Sequence, residues 1–262
     1  MPLGLSTLFL VTQKKGFESV ASLLSEPIAD RAGYFEIVDN GSLRLTDAST
    51  KMLTEFAQAG FRFTVHSPYE NINVASSDPA KRRLSIDAVK GSLERSSKFD
   101  ALNVAVHPGS ADTGTEPEAA FETNCDSLME LWDYSRSLGQ HMAVENDIAH
   151  GKGILVRPDD FKRFFSLAGS KLPILLDVGH ANISNSLKEF VRDMSSDFAE
   201  LHLHDNDGGW DQHLAIGKGT ADFGALKSLF LNTSLLFTVE SVHDPYESFD
   251  RLSNLRREAL MI

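Results

Sequence analysis

Eight times along the 262 residues, a short β-branched, apolar run gives way to polar residues and then to a stretch with helical spacing. The runs are Leu3–Leu10, Tyr34–Val38, Arg62–His66, Asn103–His107, His141–Glu145, Ile174–Asp177, Glu200–His204 and Phe237–Glu240. Helices are expected over Phe17–Leu24, Asp47–Ala59, Pro79–Ser97, Glu118–Leu138, Pro158–Leu167, Leu187–Met194, Phe223–Phe230 and Tyr246–Leu260. Within Pro79–Ser97, Leu84, Val89 and Leu93 recur at near-helical spacing. Asp78 is placed to cap that helix and Pro79 to open its first turn. Strictly alternating strands and helices build a parallel sheet with crossover helices. The count of eight fits a closed barrel, and no Gly-x-Gly-x-x-Gly follows the first strand to suggest an open doubly wound sheet. The expected fold is therefore α/β, a single (β/α)8 TIM barrel over residues 1–262, within the size range of that architecture.

Strand ends in such a barrel converge on one mouth, so the residues at those ends decide the chemistry. The third strand ends in His66, the fourth in His107, the fifth in Glu145 and the sixth in Asp177, with His180 close behind. The seventh carries His202 and His204, and the eighth ends in Glu240. One histidine at a strand end is ordinarily a hydrogen-bonded structural residue, and one buried carboxylate usually belongs to an ion pair. Six successive strands with such ends are different. Burying uncompensated charge costs several kcal/mol per group unless the groups are paired or bound to metal. Imidazole and carboxylate ligands without thiolate suit zinc, manganese, cobalt or iron without choosing among them.

Glu145, Asp177, His202 and Glu240 would form a site of three carboxylates and one imidazole. His66 and His107 could hold a second ion, with Glu145 as the bridge. His180, Asp211 and His213 are spaced for a third ion or for clamping a polar substrate. In the loop after the seventh strand, Gly217, Lys218 and Gly219 could let the backbone approach a substrate phosphate, a frequent use of this part of a barrel. The same loop also reads as a Gly/Asn/Asp turn. His204 shares a strand face with His202 and could replace it. His141 is expected at the opposite end of the barrel, and His150 and His243 in loops.

Composition bounds the remaining possibilities. Hydrophobic residues make up 42% and charged residues 24%, an ordinary globular balance. No apolar run approaches the ~20 residues that span a bilayer, and the apolar start lacks the basic region of a signal peptide. Cys125 is the single cysteine, so no disulfide can form within the chain, and a cytoplasmic location is the default expectation. A net charge of −12 does not attract polyanions, although bound cations would reverse the potential inside the site.

With these motifs in order, the chain resembles the xylose isomerase-like barrel superfamily, from about Phe61 to Ser241. That superfamily joins sugar and sugar-phosphate isomerases and epimerases with the endonuclease IV family of abasic-site nucleases. The resemblance to endonuclease IV implies nine zinc ligands at His66, His107, Glu145, Asp177, His180, His202, Asp211, His213 and Glu240, and a DNA-contacting tyrosine at Tyr69. His107-Pro108-Gly109-Ser110 is very similar to the nuclease pattern, and His202 aligns with the ligand histidine through Asp205. Against this, the Asp205–Asp211 loop is short and carries no arginine for a phosphodiester. Asp177-Val178-Gly179-His180-Ala181-Asn182 and His204-Asp205-Asn206-Asp207-Gly208 look more like the isomerase/epimerase branch.

The resemblance implies one to three divalent ions per chain, zinc or manganese. On the first reading, the chain is a sugar or sugar-phosphate isomerase or epimerase working through a metal-stabilised enediolate. Glu145 and Glu240 exchange protons with the sugar, and His180 contacts a sugar oxygen. On the alternative reading it is a zinc-dependent abasic-site endonuclease, with DNA as partner and Tyr69 wedged into the duplex. A non-catalytic metal- or sugar-binding barrel is the third.

Overall fold

The structure, a computed structural model, describes residues 3–148 and 152–261. Eight parallel strands close into a barrel in sequence order: β1 Leu3–Ser6, β2 Tyr34–Val38, β3 Phe63–His66, β4 Val104–Val106, β5 Met142–Glu145, β6 Ile174–Asp177, β7 Phe198–Leu203 and β8 Leu236–Val239. Pairing of β1 with β8, Leu5 beside Val239, completes the ring. The helices are α1 Leu8–Thr12, α2 Phe17–Leu23, α3 Asp47–Gln58, α4 Pro79–Ser97, α5 Pro117–Ser137, α6 Pro158–Ala168, α7 Val178–Ile183, α8 Leu187–Met194 and α9 Pro245–Leu260. Asp78 caps α4 as its position implies, its Oδ1 accepting the Ala80 N–H at 2.8 Å. Among the described residues no helix is long and apolar enough to cross a membrane.

Side chains of a strand alternate between the helices and the barrel interior. In β2 the apolar Phe35 and Ile37 join the main hydrophobic core, together with Phe63, Val65, Val104, Val144 and Leu176 from other strands. Ala105, Ala143 and Leu175 form a separate small cluster. Polar groups without solvent exposure, namely Glu36, Thr64, Glu200, His202 and Thr238, lie on the strands as well.

Two local expectations are corrected, and one further helix comes to light. The first run does not stay extended to Leu10. The strand stops at Ser6, whose Oγ accepts the Leu8 N–H at 3.2 Å, and the Thr7 carbonyl accepts the N–H of Leu10 at 2.9 Å. Four residues suffice for β1, and Leu8, Phe9 and Leu10 bury themselves from the short helix α1 instead. The expected helix Phe223–Phe230 is two 3-10 turns, Phe223–Leu226 and Leu229–Leu231. Gly224 lies in the first of them, where its backbone freedom disfavours continuous helix. Finally, the residues after Asp177 are helical: its Oδ1 accepts the His180 N–H at 2.6 Å and starts α7 directly from β6.

Candidate metal centre

Histidine orientation at the mouth follows from where each ring N–H goes. Nδ1 of His66 lies 2.9 Å from the Ser67 carbonyl, Nδ1 of His180 lies 2.8 Å from that of Asn146, and Nδ1 of His213 lies 2.9 Å from that of Glu240. A carbonyl only accepts, so each ring donates from Nδ1 and turns Nε2 to the interior. Those nitrogens face one another or carboxylates. His66 Nε2 is 3.2 Å from His107 Nε2, and both lie near Glu145 Oε2, at 3.4 and 3.2 Å. His180 Nε2 and His213 Nε2 approach the same oxygen, Asp211 Oδ2, at 3.4 and 3.0 Å. Rings fixed by an outer acceptor with inner nitrogens converging are the arrangement that binds metal.

Several buried atoms among these groups have no hydrogen-bond partner: Glu145 Oε2, His202 Nδ1, His204 Nδ1 and Asp211 Oδ1. Leaving a buried polar atom unpaired costs about 1–3 kcal/mol, more if it is charged. A divalent cation removes that cost, and nitrogen and oxygen donors within 4.8 Å of one another fit one. The compact sets among the described residues are His66, Glu145 and His202; Glu145, Asp177 and His180; Asp177, His204 and Glu240; His204, Asp211 and His213; and, deeper in the barrel, Glu36, Glu200 and His202.

The expected grouping of Glu145, Asp177, His202 and Glu240 is spread over several close contacts. His202 Nδ1 meets Glu240 at 3.3 Å and Glu145 at 3.8 Å. Asp177, however, is taken up by His204 Nε2 at 3.1 Å and by the first turn of α7. Among the described residues no compact set joins Asp177 to His202, and His204 is the imidazole grouped with Asp177 and Glu240. His204 also stacks on His213, their centroids 3.9 Å apart.

Opposing forces set the charge states. Burial alone would lower each imidazole, but the Glu145 hydrogen bond and charge, with Glu36 and Glu240, raise His66 to about 9. At His213 burial is likewise outweighed, by Asp211 and Glu240, and the value reaches about 9. His107 goes the other way, because burial and the neighbouring His66 and His180 prevail over Glu145. Burial raises Glu240, yet the His202 charge and hydrogen bond bring it down to about 2. Burial pushes the Tyr69 hydroxyl up to about 12.

The family model for the xylose isomerase-like TIM barrel matches residues 28–260. The chain belongs to that family. An uncharacterized protein of Methanocaldococcus jannaschii is 27% identical over 261 residues, covering 99% of this chain and 100% of its own. A Thermoplasma acidophilum protein named probable endonuclease 4 is 27% identical over 228 residues, 80% of this chain and 77% of its own. Among solved structures, a D-tagatose 3-epimerase-like protein has the same fold, with a TM-score of 0.88, 23% identity, and 100% and 99% of the two chains covered.

The mouth of this xylose isomerase-like barrel holds a half-open cavity of about 410 Å³. His66, Tyr69, His107, Glu145, His180, Asp211, His213 and Glu240 line it, with Asp147, Gln212 and, from α1, Leu8 and Thr12. Asp177 and His202 sit beneath, without exposure. The reading of Gly217, Lys218 and Gly219 as a phosphate cradle is corrected. The Gly217 and Gly219 N–H groups donate to Asp205 Oδ2 at 2.8 and 2.9 Å, so an internal carboxylate already occupies the place of the anion. Lys218 points to Glu247, 3.5 Å away, and none of the three lines the cavity.

The sequence reading also missed groups. Asn146 locks Asp177 in place, its Oδ1 accepting the Asp177 N–H at 2.7 Å and its Nδ2 donating to the Asp177 carbonyl at 3.1 Å. Its position directly after Glu145 was the available signal. Glu36, a lone charge inside an apolar strand, was passed over as well. His141 and His243 are exposed, and His150 lies outside the described residues.

Proposed function

We propose that this protein is a divalent-metal-dependent isomerase or epimerase of a small sugar. The carrying observation is that Glu145 and Glu240, both within 4 Å of His202 Nδ1, open onto a cavity at the barrel mouth whose described lining contains no lysine or arginine. Such a cavity suits a compact polyhydroxy ligand better than a phosphodiester chain. The use of the loop amides by Asp205 supports a sugar over a sugar phosphate.

A bound divalent ion would supply Lewis acidity, drawing charge from a ketose carbonyl and its neighbouring hydroxyl. His66, His107, Glu145, His180, His202, His204, Asp177, Asp211, His213 and Glu240 are the residues available to hold one ion or more. Glu145 and Glu240 take and return the proton on the carbon next to the carbonyl. Both are acceptors at neutral pH, since Glu145 lies well below the usual carboxylate range and Glu240 near 2. His180 contacts a sugar oxygen at the rim, and Tyr69 closes one wall.

One observation favours a second reading, zinc-dependent hydrolysis of DNA at abasic sites. Of the nine residues that the resemblance matches to nuclease ligands, eight fall in compact nitrogen and oxygen sets and His107 lies 3.2 Å from Glu145, and a relative is named probable endonuclease 4. Tyr69 at the rim would then meet the duplex. The two readings separate in one assay. With manganese or zinc added, solvent deuterium should enter a keto-sugar next to its carbonyl, and Glu145→Gln or Glu240→Gln should slow that exchange at least ~100-fold. Cleavage of an abasic-site duplex without any exchange would overturn the isomerase reading.

A further inference from the structure

We propose that Glu36 is a positioning residue that holds His202 in the tautomer turning Nδ1 toward Glu145 and Glu240, an inference that rests on the metal reading of the site. His66, His180 and His213 each send Nδ1–H to a backbone carbonyl and keep Nε2 for the interior. His202 is reversed. Its Nδ1 faces the two carboxylates, and its Nε2 lies 2.8 Å from Glu36 Oε2, with no backbone carbonyl in that role.

Glu36 stands on β2, across the barrel interior from β7, and has no solvent exposure. Neither of its oxygens finds a well-aligned donor, and His202 Nε2 is its ion-pair partner. The other buried acid of this layer, Glu200, is already engaged: Asn103 Nδ2 donates to it at 2.8 Å and Thr238 Oγ1 at 2.5 Å. Tyr34 backs Thr238 at 2.9 Å. Glu200 thus closes the floor, and Glu36 remains for His202. The His66 ring stacks on His202, with centroids 5.7 Å apart and planes 28° apart, which restrains the ring further.

A neutral imidazole that binds an ion through one nitrogen carries its proton on the other. An ion at Nδ1 therefore gives Glu36 the N–H donor it lacks, and Glu36 in turn fixes which nitrogen faces the ion. A buried carboxylate stranded among strands would otherwise be a large cost.

The test combines nitrogen NMR on histidine-labelled protein with zinc titration. In the zinc-loaded wild type, His202 should be bound through Nδ1 and protonated at Nε2. Glu36→Gln should weaken zinc binding roughly 10- to 100-fold and lose the single-tautomer signal. Zinc bound with His202 protonated at Nδ1, or a folded Glu36→Gln variant with wild-type zinc affinity, would overturn the role of Glu36 alone. If that variant fails to fold, the wild-type spectrum decides. A wild type that binds no zinc would overturn the metal reading and this inference together.

Discussion

At the scale of single residues, the mouth is a set of imidazoles whose outer nitrogens are already committed. His66, His180 and His213 cannot easily turn, because each is tied by Nδ1 to a carbonyl of the backbone. At the inner nitrogens a proton and a metal ion would compete. Without a bound ion, His66 and His213 hold their protons up to about pH 9, above the ordinary 6.5. Folded-state values raised in this way stabilise the protein fully below about pH 6.5, and that contribution is lost as pH rises through about 9. Metal affinity runs in the opposite direction. Manganese binding followed by calorimetry should tighten as pH climbs from 6.5 toward 9, by up to ~10-fold per pH unit for each proton displaced. Affinity that stays flat over that range would mean these imidazoles are not ligands.

Among the elements, α7 is the piece most closely fitted to the site. It leaves β6 at Asp177 and passes so near β7 that a Cβ on Gly179 would lie 2.0 Å from His204 Cε1. Gly179→Ala should push His204 away from Asp177 and lower stability in urea by roughly 1–3 kcal/mol, the usual cost of overpacking. A change below ~0.5 kcal/mol, within the range of an ordinary surface substitution, would contradict that packing.

What could be read from sequence follows the same lines. The strands and most helices were legible because period-two and period-3.6 patterns are local, and the mouth histidines His66 and His107 because they fall at or just past a strand end. Helix α1 was not, since Leu8-Phe9-Leu10 is equally apolar as strand or helix and only the closing of the barrel decides. The phosphate cradle failed because a Gly-rich loop looks the same whether its amides hold a ligand or Asp205. Glu36 escaped notice because its partner, His202, lies 166 positions onward, 202 minus 36, across the barrel, and no spacing encodes that meeting.

For the whole molecule, the net charge is −12, and the closed barrel brings several of its carboxylates and most of its histidines to one mouth. Glu145, Asp147, Asp211 and Glu240 line a cavity there without a described lysine or arginine, and divalent ions would replace the imidazolium charges that otherwise balance them. An ion that binds only the folded state adds stability by mass action. Zinc at a hundredfold excess over its Kd should add about 2.7 kcal/mol, seen as a higher melting temperature that chelator reverses. The most direct measurement is the divalent-metal content of protein purified without chelator, by elemental analysis. One to three ions per chain, lost together when Glu145 and Asp211 are both replaced by alanine, is the expected result. A folded protein that holds no divalent ion and takes up none on titration would contradict the metal centre itself.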